Sequence, residues 1–226
     1  MPTRTKILTF LSSFFTSLGS FIVICSILGT QAWIRSTLAI SDDISSGNVT
    51  LSYGLFRGKG SQQLTQGLEE PDKYFEVLGI LSDSSPKILH LVVVLVLVLS
   101  LFCALMSSGF TLYNSVSNPY QTFLGPTGVY TWNGLCASFT LLAMFLFVGN
   151  TQSNSLSEEL TQLLYPTVTR SGATHQYGYS FWLLLLVVLL NIVTIVIVYF
   201  YQRARYRRKQ EQRKPMEQAP RDGILF

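Results

Sequence analysis

The chain reads as an all-α membrane protein: four transmembrane helices in a bundle, with a small β-sheet at one end. Three observations predict this. Charge is missing from three long stretches, lysine and arginine are sorted between the two sides, and one loop carries alternating apolar runs. Of 226 residues, 48% are apolar and only 12% charged. Soluble domains carry about 25% charged residues, so an ordinary water-soluble enzyme is disfavoured. A disordered chain would be charge-rich and apolar-poor, and is excluded. Three cysteines are too few for a disulfide-dense secreted scaffold.

Residues 7–34, 88–157 and 171–202 contain no Asp, Glu, Lys or Arg. A charge at the bilayer centre costs about 2.5–3.5 kcal/mol, whereas each Leu, Ile, Val or Phe returns only about 0.3–0.6. A helix needs about 20 residues to cross the hydrocarbon. The first stretch holds one span, about residues 7–28. The second holds two, about 88–110 and 129–148, separated by a turn-rich segment with Pro119, Gly125, Pro126 and Gly128. The third holds one, about 180–200. Residues 91–99 are an unbroken Leu/Val run, whereas a surface helix of a soluble protein would show a polar face there. The first span is too long for the h-region of a signal peptide, and no A-x-A-like site follows it.

Arg4 and Lys6 precede the first span. Arg203, Arg205, Arg207, Arg208, Lys209, Arg213, Lys214 and Arg221 follow the fourth. Against three acidic residues, these ten give that side +7. The opposite side has six basic and nine acidic residues, giving −3. The excess of lysine and arginine predicts that both termini are cytosolic; the multi-pass chain is expected in the plasma membrane. The sequon Asn48-Val49-Thr50 then falls in an external loop and makes Asn48 a candidate N-glycosylation site.

The first external loop, about residues 29–87, opens with an alternating run over 33–40 and continues with a second over 49–56, predicting two β-strands. Residues 73–81 fit a short helix or a strand. The loop is too small to fold alone, so its sheet must rest on the bundle. In the second external loop, about 149–179, Ser155 and Glu158 form a capping-box pattern. Leu156, Leu160, Leu163 and Leu164 follow at helical spacing, and Pro166 ends the segment. The cytosolic loop covers about 111–128, and a basic tail covers 201–226.

No cluster of His, Cys or carboxylate at metal-ligand spacing is apparent, and neither is a Ser–His–Asp grouping or a phosphate loop. Cofactor and metal are therefore not expected, nor is an enzyme. Cys25, Cys103 and Cys136 fall inside spans and read as buried small hydrophobes. His90 and His175 lack the intramembrane ionisable partners of a proton relay. Asn191, with Thr194 on the next turn, is expected to hydrogen-bond within the bundle. Small residues recur on the first helix (Ser12, Thr16 and Ser20; Ser13 and Ser17) and on the third (Gly134, Ser138). These rows suit close helix approach, either within the bundle or in a homo- or hetero-oligomer.

The basic cluster suits the bilayer's anionic inner-leaflet lipids, and its tethering to the membrane excludes nucleic acid. The ending, with Ile224 and Phe226, fits strand addition to a PDZ domain of a scaffold protein.

Trp33 and Gly54-Leu55-Phe56 resemble the loop signature of the claudin-type tetraspan superfamily, with Phe56 in place of its final Trp and without its paired loop cysteines. Residues 28–34 (LGTQAWI), 53–58 (YGLFRG), 118–130 (NPYQTFLGPTGVY), 178–182 (GYSFW) and 221–226 (RDGILF) resemble the clarin family within that superfamily. The resemblance implies a left-handed four-helix bundle with a small extracellular sheet. It further implies a non-enzymatic membrane organiser or adaptor linked to adhesion, cytoskeletal scaffold proteins and the actin cytoskeleton, as in sensory cells of hearing. The alternatives are an auxiliary subunit of an ion channel and a claudin-like cell-junction protein.

Overall fold

The computed structural model describes residues 4–41, 46–64, 71–117, 125–166 and 170–217. In chain order the elements are α1 (Arg4–Gly29), β1 (Ile34–Ser41), β2 (Ser46–Tyr53), β3 (Arg57–Leu64), β4 (Lys73–Glu76), α2 (Val77–Ile80), α3 (Ser85–Val116), α4 (Pro126–Gln152), α5 (Leu156–Leu164), β5 (Arg170–Tyr177) and α6 (Tyr179–Glu217). Helices α1, α3, α4 and α6 are long and apolar enough to cross a membrane. Helix α1 packs against α3 and α6, and α4 packs against the same two, closing a four-helix bundle.

The helices are apolar outside, and their interior carries polar side chains among buried apolar ones such as Ile24, Leu97, Phe147 and Val187. Leu91, Leu95, Phe102, Phe145, Leu189 and Phe200 lie on the outer surface, while Ser17, Ser20, Ser100, Asn133, Thr140 and Asn191 are fully buried. In water this distribution would be unfavourable. In hydrocarbon it is the expected one, because interhelical attraction there comes from close packing and hydrogen bonds rather than from burying Leu. The ends are set by local chemistry. Pro86 and Pro126 stand in the first turns of α3 and α4, where a missing N–H removes no helix bond.

The sheet is antiparallel throughout, in the order β4-β3-β2-β1-β5. The two expected strands are β1 and β2. Three more, β3, β4 and β5, were not expected as a set, and β5 comes from the second loop. Residues 73–81 supply both a strand and a single helical turn, β4 and α2. Strand alternation sends Ile34, Leu38, Val49, Leu51 and Tyr53 into the core and leaves Arg35 and Asn48 exposed.

Three readings are corrected or extended. Helix α5 forms where its leucine spacing places it, but the capping box does not: Ser155 adopts a left-handed conformation (φ 51°) and makes no side-chain cap bond. Its carbonyl accepts the Glu158 and Glu159 amides instead. The next residue, Glu159, accepts from the Ser82 and Ser84 hydroxyls at its Oε1, at 2.9 and 2.8 Å. This clamps α5 to the entry of α3. Cys25 faces outward from α1, unlike the buried Cys103 and Cys136. Finally, α6 does not end at the inner interface. It runs 39 residues, about 58 Å at 1.5 Å per residue, well beyond a hydrocarbon core of about 30 Å.

Candidate functional site: the sheet–bundle junction, the polar seam and the basic helix

The sheet is locked to the bundle by the segment that follows α1. Trp33 is fully buried, its Nε1 donates to Ile27 O at 3.0 Å, and its ring lies 5.0 Å from that of Phe147 on α4. Its backbone N–H donates to Tyr53 O (3.3 Å), and its carbonyl accepts from Gly178 N (2.8 Å), so one residue joins β2 and the start of α6. Gly54 closes a turn with its N–H on Arg57 O (2.9 Å). A Cβ there would overlap the Thr30 carbonyl, so only glycine permits this approach of the sheet to the end of α1. Leu55 is fully buried, and its carbonyl shares a 2.8 Å hydrogen bond with His90 Nε2. His90 is thus a core residue tying α3 to the sheet. Phe56 is 44% exposed, so the last position of the signature lies outside the packed core.

Above this layer sits a second cluster that sequence reading did not anticipate. Ser36 Oγ donates to Ser157 Oγ (2.8 Å) and shares a bond with His175 Nδ1 (2.9 Å), while Tyr53 OH shares a bond with Ser157 Oγ (2.7 Å). The cluster links β1, β2, α5 and β5. Burial pushes the Tyr53 phenol up from its ordinary pKa, which keeps it neutral. A Ser–His contact therefore exists here. Ser36 and Ser157 are both fully buried, so the contact reads as structural cross-linking.

Within the bundle, hydrogen bonds run between helices at several levels. Thr16 shares one with Thr194 (2.8 Å). Ser17 donates to Ser107 Oγ (2.8 Å), which also accepts from Asn133 Nδ2 (2.6 Å). Ser100 shares one with Thr140 (2.8 Å). Asn191 Nδ2 donates to Val187 O (2.7 Å) and Ser20 Oγ (2.9 Å), with Cys136 Sγ at 3.4 Å. Asn191 and Thr194 thus both engage α1 across the bundle. The row Ser13, Ser17 and Ser20 is buried, whereas Ser138 is exposed and Gly134 has open space at its Cβ position. Asn133 was missed, although an amide inside the third span carries the same signal as Asn191. Replacing Asn191 by Leu is expected to destabilise the bundle by about 1 kcal/mol, the scale of intramembrane hydrogen bonds. A double-mutant cycle with Ser20→Ala should give a coupling of about 0.6–1.7 kcal/mol. Zero coupling would show the pair to be incidental.

Asn48 lies on β2 between Ala39 and Gln63, exposed on the face turned away from the core. Arg203, Arg205, Arg207, Arg208 and Lys209 are exposed on α6. The α6 backbone continues through Arg213 and Lys214, whose side chains lie outside the described residues, as do Ile224 and Phe226. At this end Phe10 packs on Tyr201 with ring centroids 5.6 Å apart, and Tyr130 OH donates to Gln202 Oε1 at 3.0 Å.

Four apolar spans with hydrogen-bonded polar residues buried between them, capped by a five-stranded sheet drawn from both loops of one end, define a multi-pass tetraspan membrane protein. A family model for Clarin-2-like proteins matches residues 5–198. Clarin-3 of Homo sapiens is 71% identical over 226 residues, covering all of both chains, and Clarin-3 of Rattus norvegicus is 68% identical over the same span. Clarin-1 of Homo sapiens is 25% identical over 194 residues, covering 81% of this chain and 83% of the relative. The chain belongs to the clarin family.

Proposed function

We propose that this clarin-family protein is a non-enzymatic membrane organiser that couples an extracellular surface to cytosolic scaffold and actin-linked proteins. The observation that carries the reading is the continuity of α6. One residue, Gly178, separates β5 from a helix that runs unbroken through the bundle and on to Glu217. A sheet pinned at Trp33 and Gly178 and a rod of this length give a stiff connection between the two sides. The charge asymmetry supports cytosolic termini at the plasma membrane, with the sheet outside. The clarin membership favours an adaptor over an enzyme. The role in adhesion and sensory hearing cells, and PDZ capture of Ile224 and Phe226, belong to the same proposal.

Proximity labelling from the C-terminus in a native epithelium tests it. Scaffold and actin-linked proteins are the expected neighbours, and a channel pore subunit as the dominant one would overturn the reading in favour of an auxiliary subunit. The orientation has its own check. Endoglycosidase treatment is expected to shift the mobility of the chain, and Asn48→Gln to abolish that shift. An unchanged shift in the variant would remove Asn48 as the modified site.

A further inference from the structure

Past the inner end of the spans, α6 carries a groove of about 710 Å³ lined by Tyr199, Gln202, Arg203, Arg205, Tyr206 and Lys209. The volume falls within the roughly 300–1,000 Å³ of small-ligand sites. At 100° per residue these six positions fall within one half of the helix circumference; Arg208 points to the opposite half, and Arg207 flanks the groove beside Arg203 without lining it. The groove is walled by two phenol rings and three cations. Among the described residues, none of Arg203, Arg205, Arg207, Arg208 and Lys209 has an ion-pair partner. Every described lining residue comes from α6, and Tyr130 on α4 donates to Gln202 Oε1 at 3.0 Å, which ties the membrane end of the groove to the bundle. Such a surplus of cations with polar donors is built for phosphate. Guanidinium groups meet phosphate oxygens in fork geometry, and the Lys ammonium adds a point charge.

Depth selects the kind of phosphate. Tyr199 stands at the end of the fourth span. Arg203 lies about 6 Å further along the axis, within the headgroup layer, and Lys209 about 9 Å beyond Arg203. A simple phosphodiester headgroup reaches only the first of these. A headgroup that carries extra phosphates on a ring projecting toward the cytosol reaches both. We propose that this groove binds the phosphorylated inositol ring of an inner-leaflet phosphoinositide, bridging Arg203 and Lys209. The proposal rests on the cytosolic placement of the termini.

The test uses the full-length protein purified in detergent, where binding can be read whatever its orientation in a membrane. Short-chain phosphatidylinositol bisphosphate is titrated against the wild type and two double variants that remove the same charge. Arg203→Gln/Lys209→Gln alters the groove, and Arg207→Gln/Arg208→Gln removes two cations that do not line it. Each basic contact near anionic lipid is worth about 1 kcal/mol, so the groove pair should weaken binding about tenfold or more and the control pair less than about threefold. Saturable wild-type binding with that asymmetry, and much weaker binding of short-chain phosphatidylserine, is the expected result. Equal losses in the two variants would reduce the site to a diffuse basic anchor and overturn the proposal. Absence of saturable binding would also overturn it, as would soluble inositol trisphosphate binding as tightly as the lipid. All four substituted side chains are exposed, so unchanged thermal unfolding is expected to accompany the binding change.

Discussion

Trp33→Ala is expected to destabilise the folded chain by about 3–5 kcal/mol, the range for truncating a fully buried large aromatic side chain. The substitution deletes the indole wedged between the end of α1 and Phe147 and removes the shortest of the three hydrogen bonds on Ile27 O, which also accepts from Thr30 N and Thr30 Oγ1. Thermal unfolding in detergent can be followed with a thiol-reactive dye, because Cys103 and Cys136 are buried while Cys25 supplies a constant exposed signal. For a chain of this size 1 kcal/mol corresponds to about 2–4 °C, so the melting midpoint should fall by about 6–20 °C. Trp33→Phe, which keeps the ring but loses the N–H, should cost less. Phe56→Ala, at the exposed end of the same signature, should stay within about 0.5 kcal/mol. If Phe56→Ala proved the more damaging of the two alanine variants, Trp33 would not be the anchor of the sheet.

Gly54→Ala is expected to cost about 2–4 kcal/mol although it adds only a methyl group. Its Cβ would overlap a backbone carbonyl, Thr30 O, and backbone has no rotamer to escape into. Relief requires lifting the β2–β3 turn off α1, which strains the Leu55–His90 bond and the seat of Trp33. The dye assay with Gly29→Ala as control isolates this effect. A Cβ at Gly29 meets nothing within 4 Å, so that variant should be neutral or slightly stabilising. Equal melting of the two variants would refute the steric argument. Because Trp33 and Gly54 act on one junction, the double variant should fall short of the sum of the singles.

Some of this architecture can be read directly from residues. The spans follow from missing charge, since the bilayer penalty is large and applies to each residue separately. Strands β1 and β2 show their period because one face of each meets the core. Strand β3 (RGKGSQQL) shows no such signal. Its inward positions include Gly58 and Gly60, which lend no hydrophobicity to the sequence because partners fill the space: the Phe75 ring occupies the position of a Gly58 Cβ, and Tyr165 lies against Gly60. Strand β5 is polar for a related reason, with its inward His175 satisfied by Ser36. The basic cluster was visible as charge, but its division into a groove face and an outer face depends on α6 staying helical beyond the membrane.

The number of spans, the sorting of charge between the two sides and the two alternating strands are all written in the residues. Each of these rests on a term summed residue by residue along the chain. Only the tertiary structure decided which polar groups meet. Asn191 and Ser20 lie 171 residues apart, Ser17 and Ser107 lie 90 apart, and Ser36 finds His175 across 139. A buried hydrogen bond has no period and no composition. It depends on the rotation and register of two packed elements, which exist only once the bundle has closed.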